Sequence, residues 1–136
     1  MRCAPSAIVV DASVVLELLL RTPEARAVER RLFSANETLH APHLIDVEVA
    51  HVLRRFALAG EMSTERGREA LEILADLSVR RYPHEVLLKR VWELRANLTA
   101  YDAIYVALAE ALDAPLFTRD RRLAGAVGHR ARIEVA

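Results

Sequence analysis

AIVVDASVVLELLL, residues 7–20, opens with four apolar residues, three of them β-branched, and is broken by Asp11. So short an unbroken run predicts a strand buried on both faces, which ends at the acid. Residues 12–20 then predict a helix whose only charge is Glu17, too apolar to leave a whole face in water. Working outward, Pro23 suits the first turn of a second helix, amphipathic to about residue 35, and Thr38–Ala41 reads as a brief strand ended by Pro42. Ile45, Val49, Val52, Leu53 and Phe56 repeat at helical spacing from His43 to about Ala59, and Gly60 stands where a C-terminal cap belongs. Ser63 caps a further expected helix that runs to about Leu77. Val79–Tyr82 is a strand candidate and Glu85–Arg95, with Trp92, a helix. Residues 100–112 are apolar almost all round, which predicts the most buried helix. Leu116–Thr118 predicts a strand, 121–127 a short helix and Ile133–Val135 a last strand. The alternation predicts an α/β fold, a three-layer α/β/α sandwich on a mainly parallel sheet, with residues 1–136 as a single domain free of linkers and repeats.

Composition narrows the possible functions. A chain of 136 residues is one domain's worth. With 53% hydrophobic and 28% charged residues it is a compact globule rather than a disordered tail. Its 19 basic and 19 acidic side chains cancel, which argues against a protein whose affinity comes from a large basic field and leaves local patches open. Lys89 is the single lysine, and a GC-rich coding bias explains the arginine excess. One cysteine, Cys3, permits neither an intrachain disulfide nor a cysteine metal cage, and points to a reducing cytoplasm. Arg2 and the apolar stretch after it imitate a signal peptide. Asp11 and Glu17 interrupt that stretch, no small-residue cleavage site follows, and no run reaches the ~18 residues of a membrane helix.

In a parallel α/β sheet, ligands bind beyond the carboxyl ends of the strands, where helix N-termini also point. Asp11 directly follows the first expected strand, Asp120 closely follows Thr118, and Asp102 lies in the first turn of the 100–112 helix. Glu48 borders the apolar stripe of the 43–59 helix, with Asp46 at its other border, and spacing alone barely separates the two. Capping offers a plain alternative: Asp11 and Asp120 occupy N-cap positions, and Thr99 with Asp102 fits a capping box. The combination is what points to chemistry. Two ionised carboxylates ~4 Å apart repel by about 4 kcal/mol at an effective dielectric near 20. A cluster of four therefore keeps protons or holds a cation, and oxygen donors without cysteine or paired histidine select Mg²⁺ or Mn²⁺. The five histidines show no zinc spacing.

Four segments, IVVDAS at 8–13, APHLIDVEVA at 41–50, LTAYDAIYVALAE at 98–110 and LFTRD at 116–120, together resemble the PIN-domain ribonucleases, and more narrowly the VapC-type toxins of bacterial toxin-antitoxin pairs. The resemblance spans nearly the whole chain. It favours Glu48 over Asp46 and implies that Asp11, Glu48, Asp102 and Asp120 hold one or two divalent ions, Mg²⁺ with Mn²⁺ as a substitute. Ser13 and Thr118 would fix those carboxylates and their waters. The implied reaction is endonucleolytic hydrolysis of RNA, leaving 5′-phosphate and 3′-hydroxyl ends. A toxin homodimer is implied as well, together with a cognate antitoxin that masks the site. His51 departs from the pattern, since many relatives carry Asn three residues after the Glu. Arg119, Arg121 and Arg122 adjoin the last acid and could hold flanking phosphates, though a solvated charge run explains them equally. The surplus Leu and Val of residues 12–20 leave three readings open: a dimer seam, an antitoxin groove, or burial in the core. A phosphoacceptor receiver domain is the rival reading of acids at strand ends. It needs a Lys after a late strand, whereas Lys89 falls in an expected helix.

Overall fold

The computed structural model describes residues 6–33 and 36–136. Arg2, Cys3 and the expected end of the second helix at 34–35 lie outside the described residues. The strands are β1 (Ser6–Val10), β2 (Glu37–Pro42), β3 (Val79–Tyr82), β4 (Leu116–Thr118) and β5 (Ile133–Val135). Between them run α1 (Ala12–Leu20), α2 (Ala25–Phe33), α3 (Leu44–Leu58), α4 (Thr64–Asp76), α5 (Leu88–Glu93), α6 (Ala100–Leu112) and α7 (Arg121–Gly125). The sheet order is β3-β2-β1-β4-β5, and every neighbouring pair is parallel.

Ile8, Val9 and Val10 point alternately to opposite faces, yet each is 0% exposed, so β1 is covered above and below. One covering layer is α6 with α5, where α6 packs on β1, β2 and β4. The other is built from α1 to α4, with α1 against β4 and both α2 and α3 against β2. Residues Ala103 to Ala109 of α6 are all buried, as a helix apolar all round requires. In α1, Val14, Val15 and Leu19 enter the core while Leu16, Leu18 and Leu20 pack on its margin. The fold itself therefore absorbs most of the apolar surplus at 12–20. Exposed apolar side chains lie elsewhere, Val47, Val86, Leu88, Trp92 and Tyr101 among them. No helix among the described residues is long and apolar enough to cross a membrane.

Local chemistry sets the boundaries. Asp11, Ser63, Thr99 and Asp120 each accept a backbone N–H at the start of a helix, so the expected caps are present. Gly60 takes φ +74° just past α3, a conformation that costs glycine little. Three boundaries differ from expectation. Pro23 precedes α2 rather than opening it, because Ala25 N–H closes a turn on Thr22 C=O. The 85–95 segment begins as a 3₁₀ turn at Glu85–Leu87, and its α-helical part ends at Glu93. The last helix stops at Gly125, since Ala126 is already extended.

Ion pairs tie the edges down. Arg90 binds Glu110, whose carboxylate is almost wholly buried and also accepts Arg130 N–H at 2.8 Å, joining α5 and the 128–132 segment to α6. Arg31 bridges Glu37 of β2 and Glu134 of β5. The consequence for the site is topological: strand order reverses at β1, so the crevice beyond β1 and β4 is the switch point of the sheet. Leu116, 0% exposed in β4, holds that junction. Leu116→Ala is expected to cost about 3 kcal/mol, read as a lower urea midpoint at unchanged slope.

Candidate active site

Val10 pairs with Phe117, which brings Asp11 beside Thr118 at the end of β4. Asp11 Oδ1 accepts Ser13 N–H at 3.0 Å, Val14 N–H at 3.3 Å and Ser13 Oγ–H at 2.5 Å, while Thr118 Oγ1–H donates to Oδ2 at 2.5 Å. Ser13 Oγ in turn accepts Arg119 N–H, and Thr118 Oγ1 accepts Asp120 N–H. Both hydroxyls thus hold the carboxylate and the β4–α7 turn together. Burial pushes the Asp11 carboxyl above its ordinary value, and hydrogen bonds from Ser13, Thr118 and Val14 pull it part of the way back.

Glu48 lies in the second turn of α3, which starts directly after β2. Its Oε1 accepts the hydroxyl of Tyr105, a buried residue one turn after Asp102 on α6. Burial raises the Glu48 carboxyl, the Tyr105 hydrogen bond opposes this, and the charges of Asp11 and Asp102 raise it further. Those two Coulombic effects put Asp11 and Asp102 within electrostatic reach of Glu48. For Tyr105 itself, burial and the adjacent Glu48 carboxylate keep the phenol protonated far beyond its ordinary range.

Asp120 is turned differently. Its carboxylate accepts Arg122 N–H at 2.9 Å and the Arg122 guanidinium at 2.8 and 3.1 Å, and the Arg122 bond holds it below the usual carboxylate range. Asp46, the alternative to Glu48, is bound by Arg81. Among the described residues, no three His, Cys, Asp or Glu side chains are arranged so as to hold a metal ion. The chemistry of the donors nevertheless suits a hard divalent cation, since Asp11, Glu48 and Asp102 offer carboxylate oxygens within electrostatic reach of one another, while Asp120 is engaged by Arg122. Of the three expected phosphate contacts, Arg119 is paired with Glu17 and Arg122 with Asp120, while Arg121 is exposed.

The histidines have separate tasks. His40 is hydrogen-bonded by Thr38 and Tyr82, His84 Nε2 accepts Leu44 N–H at the start of α3, and His129 Nδ1 accepts Ala131 N–H. His51 is exposed and lines a cleft of about 520 Å³ that opens beside Ser13 and Glu48. Sequence reasoning missed Tyr105 and this cleft. The spacing of Tyr105 from Asp102 was a usable signal, because residues three apart share a helix face.

A profile of the PIN domain matches residues 8–128. Ribonuclease VapC9 of Mycobacterium tuberculosis is 51% identical over 116 residues, 85% of this chain and 87% of that protein. The chain belongs to the VapC branch of the PIN-domain family. Among solved structures, PAE2754 of Pyrobaculum aerophilum superposes with a TM-score of 0.68 at 26% identity, covering 96% of this PIN domain chain and 84% of that one. VapBC2 of Rickettsia felis, bound to a DNA fragment from its promoter, gives 0.71 at 13% identity, with 95% and 98% covered, and shares the fold.

The like-charged cluster predicts a stability signature in this PIN domain. A folded-state carboxyl raised above its unfolded value disfavours folding once ionised, and that cost vanishes as pH falls through the raised value. Glu48→Gln in chelator is therefore expected to raise the melting temperature at pH 7.5 by about 3 °C, the scale of a ~1 kcal/mol change in a domain of this size. Calorimetry at pH 4 is expected to show the gain gone.

Proposed function

We propose that this chain is a Mg²⁺-dependent endoribonuclease toxin whose acids Asp11, Glu48, Asp102 and Asp120 form the metal site. The observation that carries the reading is the Asp11 carboxylate held by Ser13 and Thr118 at the switch point of the sheet, with Glu48 and Asp102 within electrostatic reach, in a relative of ribonuclease VapC9. Ser13 and Thr118 hold the Asp11 carboxylate in one orientation, and Tyr105 fixes Glu48 by one oxygen and leaves the other for a ligand. Asp102 presents its carboxylate from the first turn of α6. Asp120 joins this set when Arg122 releases it, freeing an exposed guanidinium for a phosphate beside Arg121. Bound among these groups, Mg²⁺ or Mn²⁺ would acidify the attacking water and offset charge on the phosphoryl and leaving oxygens. Without it the acids repel an RNA backbone.

The VapBC name of the Rickettsia felis complex supports a cognate antitoxin for this chain too. A basic antitoxin residue reaching the acids would mask them by supplying the charge of the metal. The exposed Val86, Leu88 and Trp92 support a homodimer or antitoxin contact. A cytoplasmic site of action follows from an RNA target.

The test is incubation of the purified protein with total RNA, in Mg²⁺ or in chelator, followed by mapping of new 5′ ends. Reproducible ends are expected in Mg²⁺ only. Asp11→Asn and Asp102→Asn are each expected to lower cleavage by about 100-fold or more, in line with the loss of a group that stabilises developing charge. Cleavage that persists in chelator, or in both variants, would overturn the reading.

A further inference from the structure

The cleft beside Glu48 has a lining that phosphate hydrolysis alone does not need. Ser13 and Glu48 belong to both the acid cluster and the cleft, so the cleft begins where a scissile phosphate would sit. Its other walls are largely apolar, with Leu16 from α1, Val47 from α3 and Tyr101 from the first turn of α6. Tyr101 is 64% exposed and Val47 66%, an aromatic ring and an aliphatic face held on rigid helices and left in water directly beside the site. His51 supplies a second ring with hydrogen-bonding nitrogens, carried by a different helix.

Charge narrows what fits. The lining contains the Glu48 carboxylate and no lysine or arginine, so it disfavours a second phosphate or an acidic peptide and suits an uncharged planar group. The planar group nearest to a scissile phosphate, carried on the adjoining ribose and needing a new surface once it leaves its own stack, is a nucleobase. Bases taken out of a stack are received on exposed aromatic rings and read along their edges by polar side chains. We propose that this cleft is a nucleobase subsite, in which the base next to the scissile phosphate stacks on Tyr101 and presents its edge to His51. The assignment rests on the phosphodiester reading given above and adds a group that would set which RNA is cut.

The test titrates the full chain in Mg²⁺ with the four 5′-nucleoside monophosphates and with ribose 5-phosphate, followed by saturation-transfer NMR. At least one nucleotide is expected to bind about tenfold more tightly than ribose 5-phosphate, the worth of a single stacked base. Tyr101→Ala is expected to abolish that preference and Tyr101→Trp to keep it, while His51→Ala reorders the four bases. Equal or absent binding of nucleotides and ribose 5-phosphate by the unaltered protein overturns the subsite, as does a preference that survives Tyr101→Ala. Should Tyr101→Ala leave nucleotide binding intact and instead break a dimer seen by light scattering, the ring serves a protein contact and the proposal fails. RNA cleavage measured in parallel keeps the two readings apart. Cleavage without base preference sinks the subsite alone, and base preference without chelator-sensitive cleavage overturns the nuclease and with it the assignment of this cleft to a base beside a scissile phosphate.

Discussion

A buried carboxylate needs donors, and Asp11 obtains them from two places far apart in the chain: the first turn of α1 and the end of β4. This requirement links the sheet to the site. Thr118 reaches Asp11 only if Val10 and Phe117 are paired, and a slip of one residue would turn Thr118 to the opposite face. The β1–β4 register, fixed by side chains packed on both faces of β1, is therefore also the register of the acids. The caps and the site are one structure, because the same Asp11 oxygen that starts α1 accepts from Ser13, and Asp120 starts α7 from the same hydroxyl network.

Such an arrangement works against the stability of the fold. Glu48 is pressed by two other carboxylates and relieved by a single neutral hydroxyl. Other partly buried acids are paired: Glu110 with Arg90, Asp46 with Arg81, Glu17 with Arg119. Buried acids gathered where strand order reverses, held by hydroxyls rather than by cations, are candidates for chemistry.

Much of this could be read from the chain alone. The bounds of α1, α6, β4 and β5 coincide with the sequence reading because each is a run of one periodicity closed by a capping or turn residue. The α5 region resisted, since Glu85–Arg95 carries a helical composition while the backbone tightens into a 3₁₀ turn and unwinds after Glu93. Asp11 and Asp102 stood out as candidates by their positions after a strand and in the first turn of a helix, whereas only the family resemblance separated Glu48 from Asp46. The partners that tune them did not stand out. Tyr105 looks like any core aromatic, and Arg119 and Arg122 look alike in sequence, yet one is bound by Glu17 and the other by Asp120. These distinctions arise from tertiary proximity, which periodicity does not encode.

The cleft beside the acids is walled by outward positions of α3 and α6, Val47, His51 and Tyr101, while Ile45, Val49 and Leu53 and the Ala103–Ala109 stretch carry the interior. Exchanges at solvent-facing positions ordinarily alter folding free energy by only about 0.5 kcal/mol. The face presented beside the acids can thus be altered at little cost to the scaffold that holds them.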